Sequence, residues 1–138
     1  MLKEYATHFY MEDNCNCAEA VLLAANAEYG LGLTDEACKL VGGFGGGVGC
    51  GSTCGALLGA VAALGVMKMG RRAGETYGFN KGCGDLARAF AAKMGDVNCS
   101  ELRKSMPTRV SAVCKPYWRP ATCWKAIWRQ LKRNKRPL

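Results

Sequence analysis

The stretch that decides the fold is Gly42-Gly43-Phe44-Gly45-Gly46-Gly47-Val48-Gly49-Cys50-Gly51, together with residues 55–69 that follow it. Seven glycines in ten residues are too many for a helix, so the first segment is predicted to be a loop. Residues 55–67 carry no charge and are rich in alanine, glycine and leucine, which indicates a helix buried on most sides. These 13 residues are fewer than the roughly 20 that cross a bilayer, so we expect a central buried helix and no membrane span.

Helical periodicity runs through most of the remaining chain, and no alternating strand pattern is present. The apolar residues of the N-terminal segment follow the i, i+3, i+4, i+7 spacing of one helix face: Leu2, Tyr5, Ala6 and Phe9. Further helices are predicted over residues 17–28, from Thr34, whose hydroxyl can cap the first turn, and over residues 85–94, 99–104 and 124–131. We therefore predict one all-α domain over residues 1–138, a compact bundle of five to seven helices with the glycine-rich loop before the central helix.

Positive charge is concentrated at the C-terminal end of the chain. Residues 1–98 carry 8 basic and 10 acidic side chains, whereas residues 99–138 carry 11 basic and one acidic. Such a basic tail is typical of a surface that docks an acidic partner, and it also fits a solvated helix face. Nucleic acid is not the expected partner because no nucleic-acid-binding module accompanies the charge.

Nine cysteines in 138 residues favour redox or metal chemistry over a disulfide scaffold. The number is odd, and the fraction lies below the ~8–10% of short secreted disulfide proteins. The first eight residues carry charges where a secretory leader needs an apolar run, so no signal peptide is predicted. We therefore expect a cytoplasmic, reducing compartment, where clustered cysteines more often hold metal or do redox work than form structural disulfides.

Four of the cysteines share one predicted setting, the N-terminus of a helix: Cys17, Cys54, Cys99 and Cys123. Free backbone N–H groups and the positive end of the helix dipole stabilise a thiolate there, so lowered pKa values and good metal binding are expected. The glycine-rich loop offers further backbone N–H groups to the sulfurs, with Gly45, Gly46 and Gly47 as the candidate donors.

Spacing excludes several other kinds of cysteine site. No two cysteines are three residues apart, so the Cys-x-x-Cys motif of a thioredoxin-like site, a zinc ribbon or a covalent haem is absent. The loop also lacks both common phosphate-binding glycine patterns. The remaining cysteines divide into two candidate resolving thiols, Cys15 and Cys50, and three predicted core or surface thiols, Cys38, Cys83 and Cys114.

Five blocks of the chain together resemble a known family. They are Asn16-Cys17-Ala18-Glu19-Ala20-Val21-Leu22, Gly43-Phe44-Gly45-Gly46-Gly47-Val48, Thr53-Cys54-Gly55-Ala56-Leu57-Leu58-Gly59, Asn98-Cys99 and Cys123. In this order, over about residues 5–132, they resemble the C_GCAxxG_C_C family, which is named for its cysteine pattern rather than for a reaction. The resemblance places the four family cysteines on Cys17, Cys54, Cys99 and Cys123.

The resemblance implies a small, mostly helical redox protein of an anaerobic prokaryote. The family is similar to the iron-sulfur part of split-Soret cytochromes, which implies an iron-sulfur cluster on the four cysteines and, by analogy with the cytochrome, a homodimer. The chain departs from the family pattern at Cys15, at Cys50 and in the basic residues 118–136, so Cys50 and Cys114 are alternate ligands. No covalent haem motif is present, so the cytochrome function is not implied.

Three hypotheses follow from the residues and the resemblance. The first is an iron-sulfur protein in electron transfer or redox sensing, which uses the basic tail to dock an acidic redox partner. The second is a thiol-disulfide oxidoreductase in which one helix-capped thiolate attacks and Cys50 or Cys15 resolves. The third is a zinc or heavy-metal binding module.

Overall fold

The structure, a computed structural model, describes residues 1–104 and Arg129. Six α-helices lie within this part of the chain: α1 (Leu2–Met11), α2 (Cys17–Tyr29), α3 (Asp35–Lys39), α4 (Gly55–Lys68), α5 (Phe79–Met94) and α6 (Cys99–Lys104). The predicted all-α class is confirmed, and these residues contain no strand. The predicted helix over residues 124–131 lies outside the described residues except at Arg129, as do Cys114, Cys123 and most of the basic tail.

The limits of the helices follow local sequence features. α2 ends at Tyr29 because Gly30 adopts the left-handed conformation that terminates a helix. Thr34 caps α3 as predicted, since its hydroxyl accepts a hydrogen bond from the Ala37 N–H. Only the start of α5 differs clearly from its prediction.

α5 begins at Phe79 rather than at Asp85. Gly82 and Gly84 weaken helix propensity in the first turns, which explains the late predicted start. Phe79 packs against the core that buries Leu86 and Phe90, so tertiary packing outweighs the local cost of the glycines.

The core is built on α2 and α4, as expected for a central buried helix. The buried side chains of α2 include Val21 and Leu22, and those of α4 include Leu57 and Leu64. α1 covers α2 with Leu2 and Ala6, and α5 covers α4 with Leu86 and Phe90. None of the helices in residues 1–104 has the length and apolar character needed to cross a membrane.

Two glycines let α2 and α4 approach closely at their N-terminal ends. A Cβ atom at Gly59 would lie 2.5 Å from the carbonyl oxygen of Ala18, and one at Gly55 would lie 2.5 Å from Cys17 Sγ. Both distances are far inside van der Waals contact, so any side chain at these positions would push the helices apart. The missing side chains therefore place the first turn of α2 against the first two turns of α4.

The glycine-rich segment is a loop, as predicted, and consists of two irregular turns, Gly42–Phe44 and Gly47–Gly51. Gly47 is buried with φ 66°, and a Cβ atom there would overlap the Ser52 carbonyl and lie 2.7 Å from Cys99 Cβ. Val48 has φ 58°, a rare conformation for a β-branched residue that costs about 1–3 kcal/mol. The loop thus follows a strained path that brings its backbone onto Cys99.

The close approach of α2 and α4 can be tested with two alanine substitutions in α4. Gly59→Ala is expected to lower the free energy of unfolding by about 1–2 kcal/mol, because overpacking exceeds the gain in helix propensity. Gly65→Ala is the matched control. A Cβ atom at Gly65 would lie 3.8 Å from Phe79 Cζ, an ordinary contact, so stability is expected to rise by about 0.5–1 kcal/mol. Equilibrium denaturant unfolding measures both changes, and effects of the same sign would contradict the close approach.

Candidate cysteine site

Three of the four predicted ligand cysteines come together in the structure. Cys17 is the first residue of α2, Cys54 is the N-cap of α4 and Cys99 is the first residue of α6. The three thiols are close enough to interact electrostatically, since Cys17 and Cys99 both act on Cys54 and Cys99 acts on Cys17. The fourth, Cys123, lies outside the described residues. We call Cys17, Cys54 and Cys99 the cysteine site.

A short antiparallel bridge between Thr53 and Asn98 joins the segments that carry Cys54 and Cys99. The Cys54 N–H donates to the Val97 carbonyl at 2.7 Å, and the Cys99 N–H donates to the Ser52 carbonyl at 2.7 Å. The bridge therefore fixes the backbone of both cysteines at the point where α4 and α6 begin. The bridge could not be predicted from the sequence, because a single bridge leaves no alternating pattern.

Asn16 positions Cys17 through a capping box at the start of α2. Its side-chain oxygen accepts from the Ala18 and Glu19 N–H groups at 2.9 and 3.1 Å, and its own N–H donates to the Glu19 carboxylate at 2.9 Å. Its Nδ2 donates to the Gly42 carbonyl at 2.7 Å, which ties the glycine-rich loop to α2. The Asn-x-x-Glu spacing was visible in the sequence, whereas the bond to Gly42 was not.

The three loop glycines predicted as sulfur donors have different roles. The Gly46 N–H donates a hydrogen bond to the Cys17 sulfur. Gly45 leaves room for Asn16, since a Cβ atom there would lie 2.9 Å from the Asn16 side chain. Gly47 leaves room for Cys99. The loop therefore serves the cysteine site with one N–H donor and two close contacts.

Burial controls the charge state of Cys54. It raises the pKa of the Cys54 thiol to about 11, against hydrogen bonds from the Ala56 and Leu57 N–H groups, while Cys17 and Cys99 add to the increase. The prediction of a lowered pKa is wrong here because the loss of water around the thiolate outweighs the N–H donors of the helix end.

Cys17 behaves in the same way. Burial is the largest influence and raises the pKa of the thiol, and Cys99 raises it further. The N–H groups of Gly46 and Ala18 lower it without cancelling the effect of burial. The predicted lowering of the pKa is therefore wrong for Cys17 as well, although the N–H donors on which it rested are present.

None of the other described cysteines is among the groups that act on the Cys17 and Cys54 thiols. Cys38 is buried in the core, as predicted, and Cys83 is half-buried against it. Burial raises the pKa of the Cys15 thiol, and electrostatic interaction with Glu19, Asp13 and Cys38 raises it further. Cys50 is exposed in the Gly47–Gly51 turn, with its Sγ 3.4 Å from the Gly47 carbonyl oxygen. The alternate ligand Cys114 lies outside the described residues.

The seven described cysteines are all free thiols. Within residues 1–104 and Arg129, no three His, Cys, Asp or Glu side chains are gathered so that they could hold a single metal ion. The cysteine site nevertheless offers the buried sulfurs of Cys54 and Cys99 and the half-buried sulfur of Cys17, with backbone N–H donors to Cys17 and Cys54. Such a donor set fits a thiolate-ligated iron-sulfur cluster, whose ligands are spread over several irons.

The capping residue can be tested by substitution. Asn16→Ala is expected to lower the free energy of unfolding by about 2 kcal/mol, roughly 1 for the lost cap and roughly 1 for the lost bond to Gly42. Asn16→Ser keeps an uncharged capping oxygen and removes the amide donor to Gly42, so about half of that loss is expected. Thermal or denaturant unfolding measures both, and equal losses would contradict a separate contribution from the bond to Gly42.

Comparison with known proteins identifies the family of the chain. The model of the family described as "Putative redox-active protein (C_GCAxxG_C_C)" matches residues 15–127, a range that includes all four predicted ligand cysteines. No curated protein and no solved structure matches the chain. The family match confirms the resemblance found in the sequence and supports a general redox role. The chain therefore belongs to the C_GCAxxG_C_C family of redox-active proteins.

Proposed function

We propose that the protein binds an iron-sulfur cluster through Cys17, Cys54, Cys99 and Cys123 and acts in electron transfer or redox sensing. The proposal rests on one observation: three free, largely buried thiols at the starts of three helices lie close to one another. The family supports a general redox role. The cluster and its four cysteine ligands are what we propose in addition. Cys123 is assigned as the fourth ligand from the sequence pattern.

The electrostatics of the site support a cationic group between the sulfurs. Three thiolates at these positions would repel one another, and the raised pKa values of Cys17 and Cys54 express that cost together with the loss of water. Iron ions bind thiolates and offset their charge, so metal binding and deprotonation occur together. The described groups that act on these two sulfurs are other cysteines and backbone N–H groups, with no Lys or Arg among them.

The chain contributes binding, burial and hydrogen bonds. When bound, an iron-sulfur cluster supplies one-electron transfer. The N–H groups of Gly46, Ala56 and Leu57 donate to the sulfurs and so stabilise the more negative, reduced state, which raises the reduction potential. Burial of the sulfurs excludes water from the site.

A thiol-disulfide oxidoreductase is the second candidate, and the closeness of the three free thiols favours it. Exchange begins with attack by a thiolate, and few thiolates form at neutral pH when the pKa lies near 11. For this reason the oxidoreductase ranks below the cluster. It requires a reversible disulfide and no metal.

We further propose an acidic protein as the redox partner, because residues 99–138 carry 11 basic side chains and one acidic. Arg103 and Lys104, at the end of α6, are the described part of this basic region nearest in sequence to Cys99. A homodimer and a cytoplasmic location remain predictions from the sequence.

The proposal is tested by anaerobic purification followed by visible absorption and by iron and sulfide analysis. The wild-type protein is expected to be brown, with iron and labile sulfide in stoichiometric amounts. Cys54→Ser is expected to lose most of both, because it removes a buried ligand. Cys83→Ser, which changes a half-buried thiol outside the site, is the matched control and is expected to keep the wild-type spectrum.

Two results would contradict the proposal. A colourless, iron-free protein from a host able to assemble clusters would remove the cluster and make titration of a reversible disulfide the next step. Equal loss of iron in Cys54→Ser and Cys83→Ser would show that the loss reflects general destabilisation rather than removal of a ligand.

A further inference from the structure

We propose that electrons enter and leave the cysteine site through the loop segment of residues 46–50, the site cover, and that Arg103 beside it selects an anionic surface of the redox partner. This inference rests on the proposed function, since it assigns the docking face and partner chemistry of the same site. One electron passes between the partner's redox centre and the site, and no bond forms or breaks.

The site cover contacts the cysteine site with its inner residues and exposes its outer residues. Its inner side contacts the site, because Gly46 donates to the Cys17 sulfur and Gly47 lies against Cys99. Its outer residues, Val48, Gly49 and Cys50, are exposed. Since the rate of electron transfer falls steeply with distance, a partner docked on this turn approaches the sulfurs closely.

Val48 gives the site cover an apolar tip. Its side chain is 52% exposed, although Val48 is a β-branched residue with φ 58°. Strained backbone of this kind persists where the surrounding structure fixes it and occurs often at functional sites. An exposed valine flanked by glycines leaves a low, smooth surface on which another protein can pack.

Arg103 places a positive charge beside the site cover. A Cβ atom at Gly46 would lie 3.5 Å from Arg103 Nη2, so the guanidinium lies over the glycine that donates to Cys17. The adjacent carboxylate of Glu101 is engaged with Lys104 at 2.7 Å, and no described carboxylate forms an ion pair with Arg103. An exposed positive charge that no described carboxylate neutralises attracts an anionic surface and speeds its association.

The partner chemistry is tested with two outer-sphere oxidants of opposite charge, hexacyanoferrate(III) and hexaammineruthenium(III). The dithionite-reduced protein is mixed with each under anaerobic conditions at about 0.1 M salt, where charges within about 10 Å still interact and more distant ones are screened. The change in visible absorbance on oxidation gives the two rates. Arg103→Gln is expected to lower the ratio of anionic to cationic rates roughly fivefold, an order of magnitude set by one charge at close range. Val48→Asp, which adds a negative charge to the tip, is expected to lower the ratio as well, and left-handed backbone suits aspartate better than valine.

Arg72→Gln is the matched control, because it removes the same charge from an exposed position after the end of α4, about 20 Å of helix away from Cys54. At 0.1 M salt and above, charges at that distance are screened, and the ratio is expected to stay at the wild-type value. If Arg103→Gln and Val48→Asp also leave the ratio unchanged while the spectrum is intact, electrons exchange at another surface and the inference is overturned.

A second measurement separates this inference from the proposed function. In protein stripped of metal, Cys50 is alkylated with anionic iodoacetate or neutral iodoacetamide, and mass spectrometry gives the ratio of the rates. Arg103→Gln is expected to lower that ratio roughly twofold, and Arg72→Gln is expected to leave it unchanged. An unchanged ratio in Arg103→Gln overturns the positive face even if a cluster is present, whereas a lowered ratio supports it even if the purified protein is colourless.

Discussion

The structure depends on the close approach of α2 to α4, which the absence of side chains at Gly55 and Gly59 permits. That approach places Cys17 beside the first turn of α4, whose N-cap is Cys54. The other parts of the site are built onto this contact. Asn16 holds the start of α2 and the glycine-rich loop together, and the bridge between Thr53 and Asn98 brings Cys99 to the same place.

The cysteine site combines two opposed electrostatic effects. Helix starts and the Gly46 N–H stabilise thiolates, whereas burial and neighbouring sulfurs destabilise them, and burial is the larger effect at Cys17 and Cys54. An arrangement of this kind makes poor free nucleophiles and is well suited to sulfurs that share their charge with metal ions. The same backbone donors that fail to lower the pKa of the free thiols would stabilise a bound, negatively charged cluster.

Much of the fold could be predicted because its signals are local. The apolar run of residues 55–67, the Thr34 cap and the stop at Gly30 each act within one or two turns of chain, and the structure places helix limits close to them. The start of α5 at Phe79 could not be predicted from Gly82 and Gly84, since packing against the core decides it.

The position of the three cysteines at helix starts was predictable, but the direction of the pKa shifts of Cys17 and Cys54 depends on burial, which no local pattern gives. The bond from Asn16 to Gly42 and the place of Arg103 over Gly46 join residues 26 and 57 positions apart in the chain, so spacing carried no information on either.

We propose that Cys17, Cys54 and Cys99 converge on one iron-binding site. This proposal is tested most directly by an anaerobic crystal structure with anomalous diffraction recorded at the iron absorption edge. We expect anomalous density within bonding distance of the Sγ atoms of all three cysteines, beneath the turn that carries Val48. Iron bound elsewhere, for instance at Cys15 and Cys38, or a disulfide between two of the three site cysteines in place of iron, would contradict it.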